Sequence, residues 1–180
     1  MLVVAATERE LELVAGADTL CTGIGPVEAA VATTRRLAER RPEAILHIGI
    51  AGSTKLEPPA LVLGAESIYC DLIDAGSLLP RVERLKPEPR LLESLGRALP
   101  DAHVLPIATS ARVGGGAAFE VEAMEGFAVL RAAALAGVPA VELRAVSNAV
   151  GEHDRGRWRI DDALAELQGA VRRVLEARVA

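Results

Sequence analysis

The stretch EAMEGFAVLRAAALAGVPAVELRAV at residues 122–146 decides the fold, because it places a helix and a buried strand in direct succession. Its first part predicts a helix over Glu122–Ala136. Gly137 would end that helix, since glycine is common just beyond a helix C-terminus. Its second part, Val138–Val146, is apolar almost throughout, as expected of a strand buried on both faces. A helix followed by a buried strand is the repeating unit of an α/β protein.

The same alternation continues on both sides of this stretch. Further strands are predicted at Leu2–Ala6, Leu20–Ile24, Ala44–Ile50, Leu61–Tyr69 and Val104–Ala108, and further helices at Thr7–Ala15, Val27–Arg41, Leu91–Leu99 and Asp161–Arg178. The segment Pro80–Pro89 is predicted to be a surface loop, and no internal repeat or linker occurs. We therefore expect one α/β domain over residues 1–180, with a central, mostly parallel sheet between layers of helices.

The composition argues against several classes of protein. With 180 residues, 51% of them hydrophobic, the chain is large enough to build a core. Its formal net charge of −5 argues against binding to duplex nucleic acid, which usually requires a basic excess. No apolar run approaches the roughly 18 residues of a membrane span, and charges come too early for a secretory signal. We expect a soluble cytoplasmic protein with neither nucleic acid nor membrane as a partner.

Candidate site residues follow the strands, because ligands of such sheets bind beyond the carboxyl ends of the strands. Thr7 and Glu10 have the spacing of a capping box, in which each side chain binds a backbone amide at the helix start. The local pattern favours capping, although an ionised Glu10 would also suit a base that acts on water. Two glycine turns, 23–25 and 49–53, match neither the Walker loop nor the dinucleotide fingerprint. Each of them is an ordinary tight turn or part of a site.

Arg144 is the most unusual of the candidates, because it lies within an otherwise apolar strand. A buried charge is costly unless it is paired, so we expect Arg144 to contact a carboxylate or a wet pocket. Glu125 is either a solvated glutamate stabilised by the helix dipole or an acceptor for sugar hydroxyls. His47 is expected in the core. No cluster of His, Cys and carboxylate side chains has the spacing of a metal site, so we expect neither a metal nor a cofactor.

Taken in this order, the elements resemble the nucleoside phosphorylase/nucleosidase family over nearly the whole chain. The strongest likeness lies in residues 121–158, and MEG at 124–126, RAVSN at 144–148 and DRGRWRI at 154–160 are most similar to members that hydrolyse futalosine. The resemblance implies a phosphorylase/hydrolase-like three-layer α/β/α fold with a mixed sheet. It also implies a homo-oligomer, a dimer or higher, that binds a small-molecule nucleoside.

The resemblance assigns roles to five residues. Glu10 falls at the carboxylate that nucleosidases use to activate the attacking water, and Arg144 at the arginine that helps to hold it. Met124 and Glu125 match the pair that packs under the ribose and binds its hydroxyls. Gly52 matches a turn glycine whose backbone lies against the ligand. These assignments extend the local interpretation of Glu10 from helix capping to chemistry.

Two positions depart from the nucleosidases that act on methylthioadenosine and adenosylhomocysteine. Asn148 stands where they have an aspartate and faces the purine. Its amide offers both a donor and an acceptor, which suits a 6-oxopurine better than adenine. Ile50 stands where they have a serine, so a hydroxyl is missing beside the nucleophile. Arg112, Arg155 and Trp158 are candidates for the far end of the substrate, with an ordinary surface position at least equally open for each.

The implied reaction is N-ribosyl hydrolysis, in which the C1′–N9 bond of a 6-oxopurine nucleoside is cleaved. Futalosine would yield hypoxanthine and dehypoxanthinylfutalosine, an intermediate of menaquinone biosynthesis. A carboxylate at position 10 would repel phosphate, which favours water as the nucleophile. Three alternatives stay open: a purine nucleoside phosphorylase for inosine or guanosine, a methylthioadenosine/adenosylhomocysteine nucleosidase, and a nucleoside-binding subunit without catalysis.

Overall fold

Eight strands and five α-helices alternate in the computed structural model, which describes residues 1–12, 14, 16–72, 80–116 and 118–177. The strands are β1 (Leu2–Ala5), β2 (Asp18–Cys21), β3 (Ile45–Ser53), β4 (Leu61–Tyr69), β5 (Arg84–Leu85), β6 (His103–Thr109), β7 (Val121–Ala123) and β8 (Ala140–Ala149). The helices are α1 (Glu8–Leu11), α2 (Pro26–Glu39), α3 (Pro89–Ala98), α4 (Gly126–Ala136) and α5 (Ile160–Glu176). Within these described residues, no helix has both the length and the apolar character needed to cross a membrane.

The sheet is mixed and closes on itself. β1 lies between β2 and β3, parallel to both, and β3 is also parallel to β8. β8 then pairs antiparallel with β4, β4 runs parallel to β6, and β6 runs parallel to β7. β7 returns to β3 in antiparallel pairing, so that five strands form a ring from which β1 and β2 extend. The predicted mixed, mostly parallel sheet is confirmed.

Helices cover both faces of the sheet. Along β1, Leu2 and Val4 pack with buried residues of α2 and α4, whereas Val3 and Ala5 pack with those of α3 and α5. This division follows from the strand period of two, which sends successive side chains to opposite faces. The three-layer α/β/α arrangement is therefore confirmed, with apolar clusters on both sides of the central layer.

Two elements near the N-terminus differ from prediction. The helix predicted over Thr7–Ala15 is too long, since α1 ends at Leu11 and positions 13 and 15 lie outside the described residues. Gly16 has a φ of 80°, a left-handed conformation that a helix does not continue through. The strand predicted at Leu20–Ile24 lies further upstream, at Asp18–Cys21, and ends before a second left-handed glycine, Gly23.

The start of the helix predicted over Glu122–Ala136 is wrong. Residues 121–123 form β7, which pairs with β3 and β6, and α4 begins only at Gly126. Strand pairing and burial inside the ring override the local helical pattern. The predicted stop at Gly137 is confirmed, with a φ of 69°. In the predicted surface loop, Arg84–Leu85 adds a short antiparallel strand, β5, to β4.

The remaining predicted elements match the observed ones to within a few residues. The helix predicted at Asp161–Arg178 is α5, whose described part ends at Glu176, and residue 178 lies outside the described residues. The strand predicted at Val138–Val146 is β8, which starts two residues later and continues to Ala149. That extension carries the end of β8 into the functional site.

Candidate active site

A cavity of about 280 Å³ lies beside the carboxyl-terminal parts of β1, β3 and β8. This is the edge at which parallel strands of an α/β sheet bind their ligands. All ten predicted site residues line the cavity: Glu10, Ile50, Gly52, Arg112, Met124, Glu125, Arg144, Asn148, Arg155 and Trp158. The tertiary structure thus brings together residues that are separated by up to 148 positions, Glu10 and Trp158 being the outermost.

Glu10 lines the cavity and also completes the capping box of α1. Its Oε2 accepts hydrogen bonds from the amide and the hydroxyl of Thr7, at 3.0 and 2.8 Å. Its Oε1 accepts from the amide of Ile50, at 3.2 Å. The predicted cap is confirmed, and the residue is only 6% exposed. Three donors from two elements therefore hold this carboxylate in one orientation at the cavity wall.

Arg144 is 1% exposed, and its guanidinium is held on three sides. Its Nε donates to Oε1 of Glu142 at 2.8 Å, and its Nη1 lies 3.9 Å from Oε2 of Glu125. Its Nη2 lies 3.2 Å from both ring nitrogens of His47. The guanidinium passes over Gly49, where a Cβ atom would overlap Nη1. The expected carboxylate partner of Arg144 is therefore confirmed.

Burial sets the protonation of the groups around the arginine. It lowers the pKa of His47 well below the ordinary value, and the nearby charge of Arg144 lowers it further. His47 is thus neutral at physiological pH and accepts from Nη2 through an unprotonated ring nitrogen. Burial also lowers the pKa of Arg144, but the neighbouring carboxylates, chiefly Glu142, raise it more. The guanidinium accordingly stays charged inside the protein.

Glu125 is a buried carboxylate rather than a solvated one. It precedes the first residue of α4, and its Oε1 accepts from the amide of Gly25 at 2.9 Å. Burial raises its pKa, and this effect is only partly offset by Arg144 and the Gly25 amide. The alternative of a solvated first-turn glutamate is therefore wrong. The contact also makes the glycine turn at residues 23–25 part of the site, and Met124, the chain neighbour of Glu125, lines the cavity as well.

Asn148 is buried, and its amide is oriented by its chain neighbours. Its Oδ1 accepts from the hydroxyl of Ser147 at 2.8 Å, and its Nδ2 donates to the carbonyl of Ala149 at 3.0 Å. A register shift between β3 and β8 places Gly52 opposite Asn148. A primary amide has two donor hydrogens and two acceptor lone pairs. One donor and one acceptor consequently remain for a ligand.

A buried glutamate that the sequence motifs did not indicate, Glu122, also lines the cavity. Glu122 accepts from the amides of Gly114 and Gly116, at 2.7 and 2.8 Å, and so holds the loop that follows β6. This loop carries Arg112 to the cavity, where its side chain is exposed. The run of three glycines at 114–116 was the available signal in the sequence, because glycine lets another group approach the backbone closely.

Trp158 forms another part of the wall near a second arginine. Its ring nitrogen donates to the carbonyl of Glu152 at 3.1 Å. The guanidinium carbon of Arg155 lies 5.4 Å from the ring centroid, within the range of a cation–π interaction. Both residues line the cavity, together with Arg112 and the apolar side chains of Ile160 and Leu164. The indole ring and the guanidinium of Arg155 thus share this part of the site.

The interior of the site carries more negative than positive charge. Glu10, Glu125 and Glu142 are buried around Arg144, while His47 is neutral. Within the described part of the chain, no group of three His, Cys, Asp or Glu side chains has an arrangement suited to a metal ion. The interior therefore suits water as the nucleophile, and a ligand that donates from hydroxyl groups, better than a phosphate dianion.

The sequence matches the family described as the phosphorylase superfamily over residues 19–180. The chain belongs to this superfamily. It is 37% identical to the futalosine hydrolase of Streptomyces coelicolor, over 87% of this chain and 77% of that protein. This likeness confirms the family expected from the sequence motifs.

Solved structures confirm the fold of this superfamily member. A futalosine hydrolase mutant of Helicobacter pylori superposes with a TM-score of 0.86 at 16% identity, over 97% of each chain. A methylthioadenosine/adenosylhomocysteine nucleosidase of Colwellia psychrerythraea, in complex with adenine, superposes with a TM-score of 0.85 at 19% identity, over 98% of this chain and 94% of that chain. The same fold thus serves enzymes named for different substrates, so the substrate has to be argued from the site.

Proposed function

We propose that this superfamily member hydrolyses the C1′–N9 bond of futalosine and releases hypoxanthine and dehypoxanthinylfutalosine, as a step of menaquinone biosynthesis. The observation that carries the proposal is the buried Glu10 carboxylate. It is fixed at the cavity wall by Thr7 and the Ile50 amide. The 37% identity to a protein named futalosine hydrolase supports the choice of substrate.

The proposed reaction uses the charges of the site in sequence. Departure of the base takes the C1′–N9 electron pair to the purine and leaves oxocarbenium character on the sugar. Water attacks C1′ as Glu10 accepts one of its protons, which is general base catalysis. Arg144 places a buried positive charge near this carboxylate, and ionised Glu125 accepts hydrogen bonds from the ribose hydroxyls. The negative charge of Glu125 also stabilises the positive charge that develops on the sugar.

Asn148 is the proposed contact to the purine. Its remaining N–H donates to O6 of hypoxanthine, and its remaining oxygen lone pair accepts from a protonated N7. The hydrogen bond donated to O6 strengthens as negative charge grows on the leaving base. N7 takes up a proton from solvent as the C1′–N9 bond breaks, while Glu10 holds the proton taken from the attacking water, so that hypoxanthine leaves as a neutral base. The orientation of the amide by Ser147 and Ala149 supports this assignment, because it leaves one donor and one acceptor unused.

The far end of futalosine carries a carboxyphenyl group, for which we propose the region around Trp158. Arg112 and Arg155 supply cations for the carboxylate, and the indole ring supplies an apolar surface. The position of all three side chains along the same cavity supports this role. Gly52 and Ile50 line the part of the cavity near Asn148 and Glu10, where small or apolar groups leave space for the nucleoside.

The proposal predicts a specific pattern of base release, which chromatography measures on futalosine, inosine and methylthioadenosine, each with and without phosphate. Futalosine should release hypoxanthine at a rate independent of phosphate, because buried carboxylates exclude an anionic nucleophile. Inosine cleavage that requires phosphate would instead identify a purine nucleoside phosphorylase. Adenine release from methylthioadenosine would contradict the role of Asn148. Tight binding without release would identify a nucleoside-binding subunit.

We further propose that the protein acts in the cytoplasm as a homo-oligomer, a dimer or higher. An apolar surface at the start of α2 supports self-association: Ile24, Val27 and Val31 are 63%, 70% and 62% exposed. Val27 and Val31 share one helix face at a spacing of four residues, and Ile24 also lines the cavity. Exposed apolar surface of this kind commonly marks a protein interface.

Replacing Val31 with aspartate is expected to dissociate the assembly, because it buries an unpaired charge in the interface. Sedimentation equilibrium measures the resulting mass. The matched control is Val82→Asp, a half-exposed valine in the loop before β5. It should leave the mass unchanged. A wild-type protein that sediments as a monomer would refute the proposed assembly.

A further inference from the structure

Glu142 is a buried carboxylate to which neither the sequence motifs nor the proposed reaction assigns a role. It lies on β8 two residues before Arg144 and is fully buried. Its Oε1 accepts from Nε of Arg144, whereas its Oε2 has no hydrogen-bond partner. The carboxylate lies against the first residue of α4, Gly126, where a Cβ atom would overlap it. The absence of a side chain at Gly126 therefore leaves space for the Glu142 carboxylate.

Of the three carboxylates near Arg144, only that of Glu142 forms a close ion pair with the guanidinium. Glu142 makes the close ion pair, at 2.8 Å, while the nearest oxygen of Glu125 is 3.9 Å from the guanidinium. Glu125 instead accepts from the amide of Gly25, and Glu10 accepts from Thr7 and the amide of Ile50. The two carboxylates of the proposed mechanism are thus oriented mainly by the backbone and the cap.

We propose that Glu142 is a positioning residue, which neutralises Arg144 and holds its guanidinium back from Glu10 and Glu125. Both carboxylates then remain available to water and to the ribose. A buried arginine that loses its partner leaves an uncompensated charge, which strongly favours a new ion pair with another carboxylate. Glu125 is the next one within reach. The consequence for catalysis rests on the proposed function, whereas the restraint on Arg144 does not.

The variant Glu142→Gln tests the proposal, because glutamine keeps the size of the side chain and one acceptor oxygen but removes the charge. We expect kcat to fall about 10²-fold with little change in KM at neutral pH, as for a misplacement of about 1 Å near a reacting group. Glu142→Asp retains the charge and is expected to restore part of the rate. Thr33→Val is the matched control, since it removes another buried oxygen without a partner, on α2.

The pH dependence supplies a readout that a purely structural role would not change. The charged or titratable groups that face Glu125 are Arg144, Glu10, Glu142 and, near the arginine, neutral His47. Burial raises the pKa of Glu125, so ribose binding by its ionised form is lost as the pH falls through that raised value. Removing the Glu142 charge and drawing Arg144 closer both lower this pKa. The rise of KM in acid should therefore occur at lower pH in Glu142→Gln.

An NMR titration of the ¹³C-labelled Glu125 carboxyl, assigned with Glu125→Gln, measures this shift without turnover. A lower Glu125 pKa in Glu142→Gln, together with an Arg144–Glu125 separation shorter than 3.9 Å in a crystal structure of the variant, supports the positioning role, even if wild-type protein cleaves no futalosine and the proposed function fails. Wild-type hydrolysis together with an unmoved Glu125 titration overturns the positioning role alone. A rate within twofold of wild type in Glu142→Gln also overturns it, as does an equal loss in Thr33→Val. If Glu142→Gln does not fold, a rate within twofold of wild type in Glu142→Asp overturns it, because the shorter side chain cannot hold the guanidinium of Arg144 in the same place.

Discussion

Replacing Glu10 with glutamine is expected to slow hypoxanthine release from futalosine about 10²–10⁴-fold, the usual contribution of a general base. Glutamine retains one oxygen that can accept from Thr7 or from the Ile50 amide, so the cap is weakened rather than lost. The loss of one cap contact costs about 1 kcal/mol of folding stability. Single-turnover chromatography measures the rate, and thermal unfolding measures the stability.

A matched control for this variant lies on the same helix. Glu8 is also an acidic residue in the first turn of α1, but it is exposed and does not line the cavity. Glu8→Gln is expected to keep the full rate. If Glu10→Gln retained more than a tenth of wild-type turnover, Glu10 would serve only as a helix cap and another group would have to activate the water.

Replacing Asn148 with aspartate is expected to lower kcat for hypoxanthine release about 10²–10³-fold, a typical cost of losing a donor to a developing negative charge. At neutral pH an aspartate has acceptors only, so O6 of the base loses its hydrogen bond. The added negative charge also opposes the charge that grows on the purine. Steady-state kinetics on futalosine measures the loss.

Ser147→Ala is the companion variant for Asn148. It removes the hydroxyl that orients the amide oxygen but leaves the amide itself in place. We expect a smaller loss of kcat than in Asn148→Asp, because the donor to the base is retained. Equal rates for wild type and Asn148→Asp would show that the side chain does not contact the base, and the preference for a 6-oxopurine would need another cause.

The sequence was most informative where a single segment contains its own signal. Gly137 marked the end of α4, because the residue just beyond a helix often adopts a left-handed conformation that favours glycine. The capping box at Thr7 and Glu10 needed two side chains three residues apart, and both of its hydrogen bonds are present. Arg144 lies within an apolar strand, and an unpaired buried charge is costly, so the sequence predicted a partner but not its position.

The positions of the site residues were predictable only through the family resemblance. The resemblance gave roles to five residues, and Ile50 and Asn148 were noted as departures from it; all seven line one cavity. Local patterns alone favoured a cap for Glu10 and a solvated position for Glu125. The buried Glu125 carboxylate accepts from the Gly25 amide, which is 100 residues away in the chain. A contact between residues so far apart in the chain is not reflected in the hydrophobic pattern of either segment, so local patterns could not predict it.

The sequence by itself determined the α/β class, most helices and strands and the need of Arg144 for a carboxylate, since these depend on neighbouring residues and on burial. Only the tertiary structure decided that residues 121–123 form a strand, because their pairing with β3 and β6 outweighs a local helical pattern. It also decided that Glu142 is the close partner of Arg144. Three buried carboxylates were available, and the packing of β8 against α4 selected one of them.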